Sequence, residues 1–216
     1  MKDLKAIRGT RILTEMVAEG EHAHQDFKFA ISDARKIARS ISAFANNDGG
    51  RLLIGVKDNG TIAGVRNEED IFVIEQAAER YCRPPQKLSF TAYRLEGHVR
   101  VIVAEIPKAE TGPVEVVEEC GTLKAYFRVA DENIAAHPLM VRAWRIAAGI
   151  EEADPLDERH YALAALYADG SGPVDELHAA MALRISTDTA SDLIARLVAA
   201  DVLSYTFDGT HFILTS

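Results

Sequence analysis

The sequence predicts an α+β fold: a mixed-sheet domain over residues 1–148, a linker at 149–155 and a small winged helix-turn-helix domain at 156–216. Three observations carry this. Strand and helix periodicities interleave through the first 148 residues, which favours a mainly antiparallel or mixed sheet with helices packed on it. Ala147-Ala148-Gly149-Ile150-Glu151-Glu152-Ala153-Asp154-Pro155 has the small, acidic, proline-closed composition of a solvated linker. Beyond it, three helical stretches and one hairpin in roughly 60 residues follow the order of a winged helix-turn-helix.

The first domain opens on an amphipathic helix, Leu4–Ala18, with Leu4, Ile7, Ile12, Met16 and Val17 on one side. In Gln25–Ile31, Phe27 and Phe29 alternate with Asp26 and Lys28, the pattern of a strand with one polar face. Ser32-Asp33 offers a helix start, and Ile37, Ile41 and Phe44 recur at helical spacing until Asn46-Asn47-Asp48-Gly49-Gly50 ends the helix. Arg35, Lys36, Arg39 and Ser42 lie on its other face. Arg51–Val56 reads as a buried strand that turns at Asn59-Gly60 into Ile62–Val65. Glu68–Tyr81 is a second helix, Leu88–Leu95 and Val99–Ile106 a further hairpin, Leu123–Val129 a last strand and Pro138–Arg145 a closing helix. In the second domain, helices at Arg159–Tyr167 and Val174–Ala182 flank the break Asp169-Gly170-Ser171-Gly172-Pro173. A third helix, capped by Ser186 or Thr187, turns Leu193, Ile194, Leu197 and Val198 inward, and Leu203–Phe207 and His211–Leu214 form the hairpin.

With 48% apolar and 26% charged residues, the 216-residue chain is globular in composition, which excludes disordered and collagen-like classes. Its aliphatic stretch Leu52-Leu53-Ile54-Gly55-Val56 falls far short of the roughly 20 apolar residues of a membrane helix. Lys2, Asp3, Lys5, Arg8 and Arg11 precede no apolar signal segment, so a cytoplasmic location is expected. Cys82 and Cys120 form no CxxC and join no His/Cys cluster; neither a disulfide framework nor a zinc site is predicted, and both read as buried free thiols. The net charge of −9 belongs to the tail: residues 151–216 hold three arginines against twelve acids, and residues 1–150 balance. No GxxxxGK[ST], no GxGxxG after a strand, no GxSxG and no HExxH occurs, so common nucleotide and hydrolase classes gain no support.

The block Ala43-Phe44-Ala45-Asn46-Asn47-Asp48-Gly49-Gly50-Arg51-Leu52-Leu53-Ile54-Gly55-Val56-Lys57-Asp58-Asn59-Gly60 resembles the signature of the Schlafen/AlbA-type domain family. Asp26-Phe27-Lys28 is similar to that family's Glu-Phe-Lys strand, and Tyr126-Phe127-Arg128 with Asn133 to its Tyr-x-Arg strand, so the resemblance spans about residues 15–145. Followed by a winged helix, it implies a bacterial transcriptional regulator or nucleic-acid-binding protein. The same residues have a purely structural reading, which is preferred over a phosphate-binding loop. Asn47-Asp48-Gly49-Gly50 lets the backbone leave a helix through positive φ and enter a buried strand where side chains would collide with the helix end.

Some eukaryotic Schlafen members are RNases, and the resemblance carries their metal-binding acids onto Glu21, Asp26 and Asp58. Three such carboxylates could hold Mg²⁺ or Mn²⁺ to polarise a phosphodiester and activate water. Positions 21 and 26 fall on opposite faces of a continuous strand, so their convergence requires a bend near Ala23. The alternative pairs Asp26 with Lys28 or Arg128, uses Asp58 to close the hairpin turn and leaves Glu21 solvated. His22 and His24 could grip a metal beside Glu21, but without a third placed ligand they read as an exposed polar edge. The leading reading needs no cofactor.

The nucleic-acid-binding candidates are Lys28, Arg35, Lys36, Arg39, Arg51, Lys124, Tyr126 and Arg128, with further cations, Arg80, Arg83, Lys87, Arg94 and Arg100, around the second helix and the following hairpin. Lys124, Tyr126 and Arg128 alternate on one strand, placing a ring that stacks bases between two cations that track phosphates. A salt-bridged face with Glu75, Glu79 and Glu96 competes with this, and the segregation of charge in three dimensions decides. The recognition helix of the second domain offers Arg196 against Asp188 and Asp192, one turn apart. Such a face opposes phosphate, so that domain is read as a dimerisation or protein-contact module. The sequence thus predicts a non-enzymatic DNA- or RNA-binding regulator that forms a homo-oligomer, a dimer in the simplest case, with no membrane partner. A metal-dependent ribonuclease and a non-catalytic interaction adaptor are the alternatives.

Overall fold

The computed structural model describes residues 4–65, 69–168 and 172–216, and the chain divides into units Met1–Ala135 and Ala136–Ser216. The first unit is built on a five-stranded mixed sheet of β1 (Ile7–Arg8), β2 (Gln25–Lys28), β3 (Gly50–Ile54), β5 (Ser89–Arg94) and β6 (Arg100–Ile106), in the order β1-β5-β6-β3-β2. β1 runs parallel to β5 and β2 parallel to β3; the inner pairs are antiparallel. Alternation in β3 divides its side chains between the two faces. Leu53 joins Phe27, Val101 and Val103 under Leu13 of α1 (Thr10–Glu19). Leu52 and Ile54 join Ile102 and Ala104 under Ile37, Ile41 and Phe44 of α2 (Ala34–Ala45).

A second, antiparallel sheet lies on the far side of α2: β4 (Cys82–Arg83), β7 (Glu115–Val117), β8 (Leu123–Val129) and β9 (Glu132–Ala135). Held between two sheets, α2 is buried throughout Ser40–Ala45 and meets solvent only in its first turns. The Asp33 side chain caps it by accepting from the backbone N–H of Arg35 (2.9 Å) and of Lys36. α3 (Glu69–Gln76) runs on into a π-helical turn, Ala77–Tyr81, that packs on α2.

Several elements differ from the expected ones. The first helix begins only at Thr10, because Gly9 passes so close to the Tyr93 ring that a Cβ there would lie 2.2 Å from it, and the preceding residues pair with β5 instead. The hairpin return of β3 shrinks to a single bridge, Val56↔Ile62, since β2 and β6 already occupy both edges of β3. β4, β7 and β9 were not anticipated. Cys82 is buried, as expected, whereas Cys120 is exposed in a turn between β7 and β8. Lys2, Asp3, the helix start at Glu68 and Asp169-Gly170-Ser171 lie outside the described residues.

The second unit holds α4 (Pro138–Ala147), α5 (Glu158–Ala165), α6 (Glu176–Leu183), α7 (Thr187–Ala199) and the hairpin β10 (Ser204–Phe207) and β11 (Phe212–Thr215). Leu163, Leu193, Ile194, Leu197, Leu203 and Leu214 form its core. α4, assigned from sequence to the first domain, packs on α7, and Arg142 ties it there with ion pairs to Asp192 and Glu151, both at 2.6 Å. Arg196 donates to the carbonyl oxygens of Asp154 and Pro155, so the stretch expected to be a solvated linker is fastened to this unit. No helix among the described residues is long and apolar enough to cross a membrane.

Candidate nucleic-acid interface

The block that ends α2 is a junction between helix and second sheet. The Ser42 hydroxyl donates to the Val114 carbonyl (2.7 Å) and accepts from Tyr126 N–H (3.0 Å). The Asn46 amide accepts from Val114 N–H (2.7 Å) and donates to the carbonyls of Val114 and Tyr126. Asn47 takes the Arg128 N–H (3.0 Å) and donates to the Arg128 carbonyl, standing in for a strand neighbour. A Cβ on Gly50 would lie 2.2 Å from the Phe44 ring, which is the collision with the helix end expected from the sequence.

Residues 22–25 make the bend required near Ala23: His22 and Gln25 exchange backbone hydrogen bonds of 2.9 and 3.1 Å across it. Arg128 fastens this bend from β8, donating to the carbonyls of His22 (2.9 Å) and Gln25 and to the Asn133 side chain, with its guanidinium over the Phe44 ring. The bend lays Glu21 against Asp26. Burial and a hydrogen bond with Asp26 hold the Glu21 carboxyl above its ordinary pKa, opposed by the Phe27 N–H that it accepts at 2.9 Å. Asp26, 5% exposed, pairs with Lys28 at 2.6 Å. Asp58 does not join them; it is exposed in the turn beyond β3, where Asn59, not Asp58, closes the loop by accepting from Thr61 N–H. Among the described residues no group of three or more His, Cys, Asp and Glu is placed to hold a metal ion. The expected three-acid set therefore does not fit Mg²⁺ or Mn²⁺ as placed.

The basic candidates separate into two groups. Lys124, Tyr126 and Arg128 do share one face of β8, but it is the face turned to α2. Tyr126 is 8% exposed and donates its hydroxyl to Glu118 (2.5 Å), and Arg128 is 4% exposed, which removes both as base-stacking or phosphate-contacting groups. Burial and the bond to Glu118 push the Tyr126 phenol up to about 12. Lys28 is held by Asp26, and Arg51 by Glu19 and the Gln25 side chain. These four belong to the fold. The others line the exposed start of α2. Arg39 lies over the Tyr126 ring and makes a bidentate pair with Glu118, whose carboxyl it holds below the usual range. The Arg35 guanidinium stacks on Tyr81, 4.8 Å from the ring centre, and Lys36 is exposed; neither makes an ion pair among the described residues. Lys124 is exposed on the same side, close enough to Glu118 to lower its pKa. Glu118, missed from sequence, is the acid that offsets this group.

A separate cleft of about 720 Å³ opens beside the bend, walled by His22, His24, Gly49, Arg51, Lys87 and Glu105. His24 donates from Nδ1 to the Gly49 carbonyl (3.0 Å), and His22 stands 3.6 Å from Glu19, so the two imidazoles form a polar rim. In the second unit, Asp192 is enclosed between Arg142 and Arg196, which leaves Asp188 as the exposed acid of the two on α7.

A family model described as Schlafen, AlbA_2 matches residues 21–137. No curated protein matches the chain. Among solved structures, the DIP2311 protein from Corynebacterium diphtheriae is similar at 19% identity and a TM-score of 0.46 over 94% of this chain, which spans only 37% of that one. The N-terminal domain of an ATP-dependent DNA helicase RecG-related protein from Nitrosomonas europaea is similar at 15% identity and a TM-score of 0.37, covering 70% of this chain and 97% of that domain.

Proposed function

The chain belongs to the Schlafen AlbA_2 family, and we propose that its first unit binds nucleic acid through the exposed start of α2, with Arg35, Lys36 and Arg39 contacting phosphates and Lys124 beside them. One observation carries this reading: the only part of α2 that reaches solvent is cationic, and Arg35 and Lys36 are not neutralised by any acid among the described residues. Unpaired cations on a rigid helix release counterions when they meet a polyanion, which gives affinity without base reading. DNA and RNA oligonucleotides, single- and double-stranded, titrated at low ionic strength should bind in a salt-sensitive manner; no such binding contradicts the proposal.

The second unit, in this reading, is a winged helix that serves assembly. Its α7 has Arg196 engaged with Asp192 and with two backbone carbonyls, and it exposes Asp188, a poor surface for a major groove. A cytoplasmic regulator with a dimeric acidic module is the role that follows. Sedimentation of the full chain should give a dimer, and a monomer throughout the micromolar range contradicts it. The ribonuclease alternative would regain ground if chelator-sensitive RNA cleavage were seen and lost in Asp26→Asn.

A further inference from the structure

Three arginines stand in line at one end of the five-stranded sheet. Arg8 of β1 is in register with Arg94 of β5, and Arg94 with Arg100 of β6, so their side chains leave one face of three adjacent strands. Leu95 N–H bonds the Val99 carbonyl at 2.9 Å, which makes Arg94–Arg100 a non-hydrogen-bonded pair, the kind whose side chains stand closest. Like charges directly opposite one another destabilise a sheet. Folding does not require them here, since Arg8 and Arg94 are exposed and make no hydrogen bond or ion pair among the described residues.

The two line a cleft of about 530 Å³ together with Thr10, Leu95, Glu96 and Gly97. Thr10 opens α1, a ten-residue helix whose first turn has neither a side-chain cap nor an acidic residue. That helix packs on the opposite face of the sheet, with Tyr93 and Val101, whereas Arg94 and Arg100 share the face of Ala92 and Ile102, so the arginines alone supply the charge.

The geometry points to a phosphate-binding site between Arg8 and Arg94 in this cleft. A planar carboxylate has two oxygens and satisfies one guanidinium fork, whereas a tetrahedral phosphate has oxygens for both forks. Its double negative charge also offsets the repulsion along the row. The phosphate could be free or belong to a polynucleotide. The site shares no residue with the α2 face, so the two readings stand or fall separately.

The test is calorimetric titration of the full chain with inorganic phosphate, in parallel with Arg8→Gln, Arg94→Gln and, as a control, Arg35→Gln. Saturable binding of one phosphate per chain is expected, weakened about tenfold or more in the first two variants and unchanged in the control. In phosphate-free buffer Arg94→Gln should melt no lower than wild type, because it removes a like-charge pair; phosphate should then raise the Tm of wild type and of the Arg35→Gln control more than that of Arg94→Gln. If inorganic phosphate fails to saturate but a short single-stranded oligonucleotide binds less tightly to Arg94→Gln, the site stands with a polynucleotide as the source. Binding of neither ligand that depends on Arg8 and Arg94, or a lower Tm for Arg94→Gln without phosphate, overturns it.

Discussion

Arg128 donates from Nη2 to the carbonyl oxygen of His22 at 2.9 Å, tying β8 to the bend that precedes β2. This buried guanidinium thereby sets the position of Glu21, Asp26 and the His22 rim, although it touches solvent hardly at all. Arg128→Ala should cost about 3 kcal/mol, because it removes the second donor to each of the His22 and Gln25 carbonyls and the donor to Asn133 Oδ1, and leaves the two acids less compensated. Lys at this position cannot reproduce the fork and should recover little. Urea unfolding of the full chain, followed in the transition of the first unit, reads both effects.

Tyr126→Phe separates structure from binding. It removes the hydroxyl bond to Glu118, at a cost of about 1.5 kcal/mol, and should leave oligonucleotide affinity unchanged. A loss of affinity without a loss of stability would restore Tyr126 as a contact.

Glu21 gives the first unit a specific pH response. Its folded pKa is raised by burial and by Asp26, so the native state holds a proton that the unfolded chain releases, and the contribution of this group falls as pH rises through the folded value. Glu21→Gln, which keeps an acceptor for Phe27 N–H, should therefore be more stable than wild type at neutral pH. The advantage should vanish as pH drops below the carboxyl's ordinary range. A gap between the two proteins that does not vary with pH contradicts the raised carboxyl.

The thiols should react unequally. Burial pushes Cys82 up to about 12, whereas Cys120 is exposed and lowered by its hydrogen bonds with Thr122. Ellman's reagent at mildly alkaline pH should titrate one thiol rapidly in the native protein and the second only on unfolding. Loss of the fast phase in Cys120→Ser confirms the assignment, and its persistence contradicts it.

How much of this was legible depended on whether a signal was local. The cap at Asp33, the helical spacing of Ile37, Ile41 and Phe44 and the cationic face of Arg35, Lys36 and Arg39 are all local, and α2 carries each of them. The parity of positions 21 and 26 made a bend near Ala23 a condition of their convergence, and only the backbone shows that the condition is met. Two- to four-residue strands such as β4, β7 and β9 hold too few alternations to be distinguished from loop. The alternation of Lys124, Tyr126 and Arg128 correctly gave a shared face, but only the packing of α2 on β8 turns that face inward. Glu118 lies 79 positions from the Arg39 it neutralises, with no periodicity to announce the pair.

The central claim is that the unpaired cations at the start of α2 meet nucleic-acid phosphates. The most direct measurement is the salt dependence of oligonucleotide affinity, by fluorescence anisotropy, for wild type and the double variant Arg35→Gln, Lys36→Gln. Two lost phosphate contacts should make the slope of log K against log salt shallower by about 1.5, with weaker binding at low salt and a stability lowered by no more than about 1 kcal/mol, the worth of the Arg35 stacking on Tyr81. An identical slope and affinity in the two proteins would contradict the account.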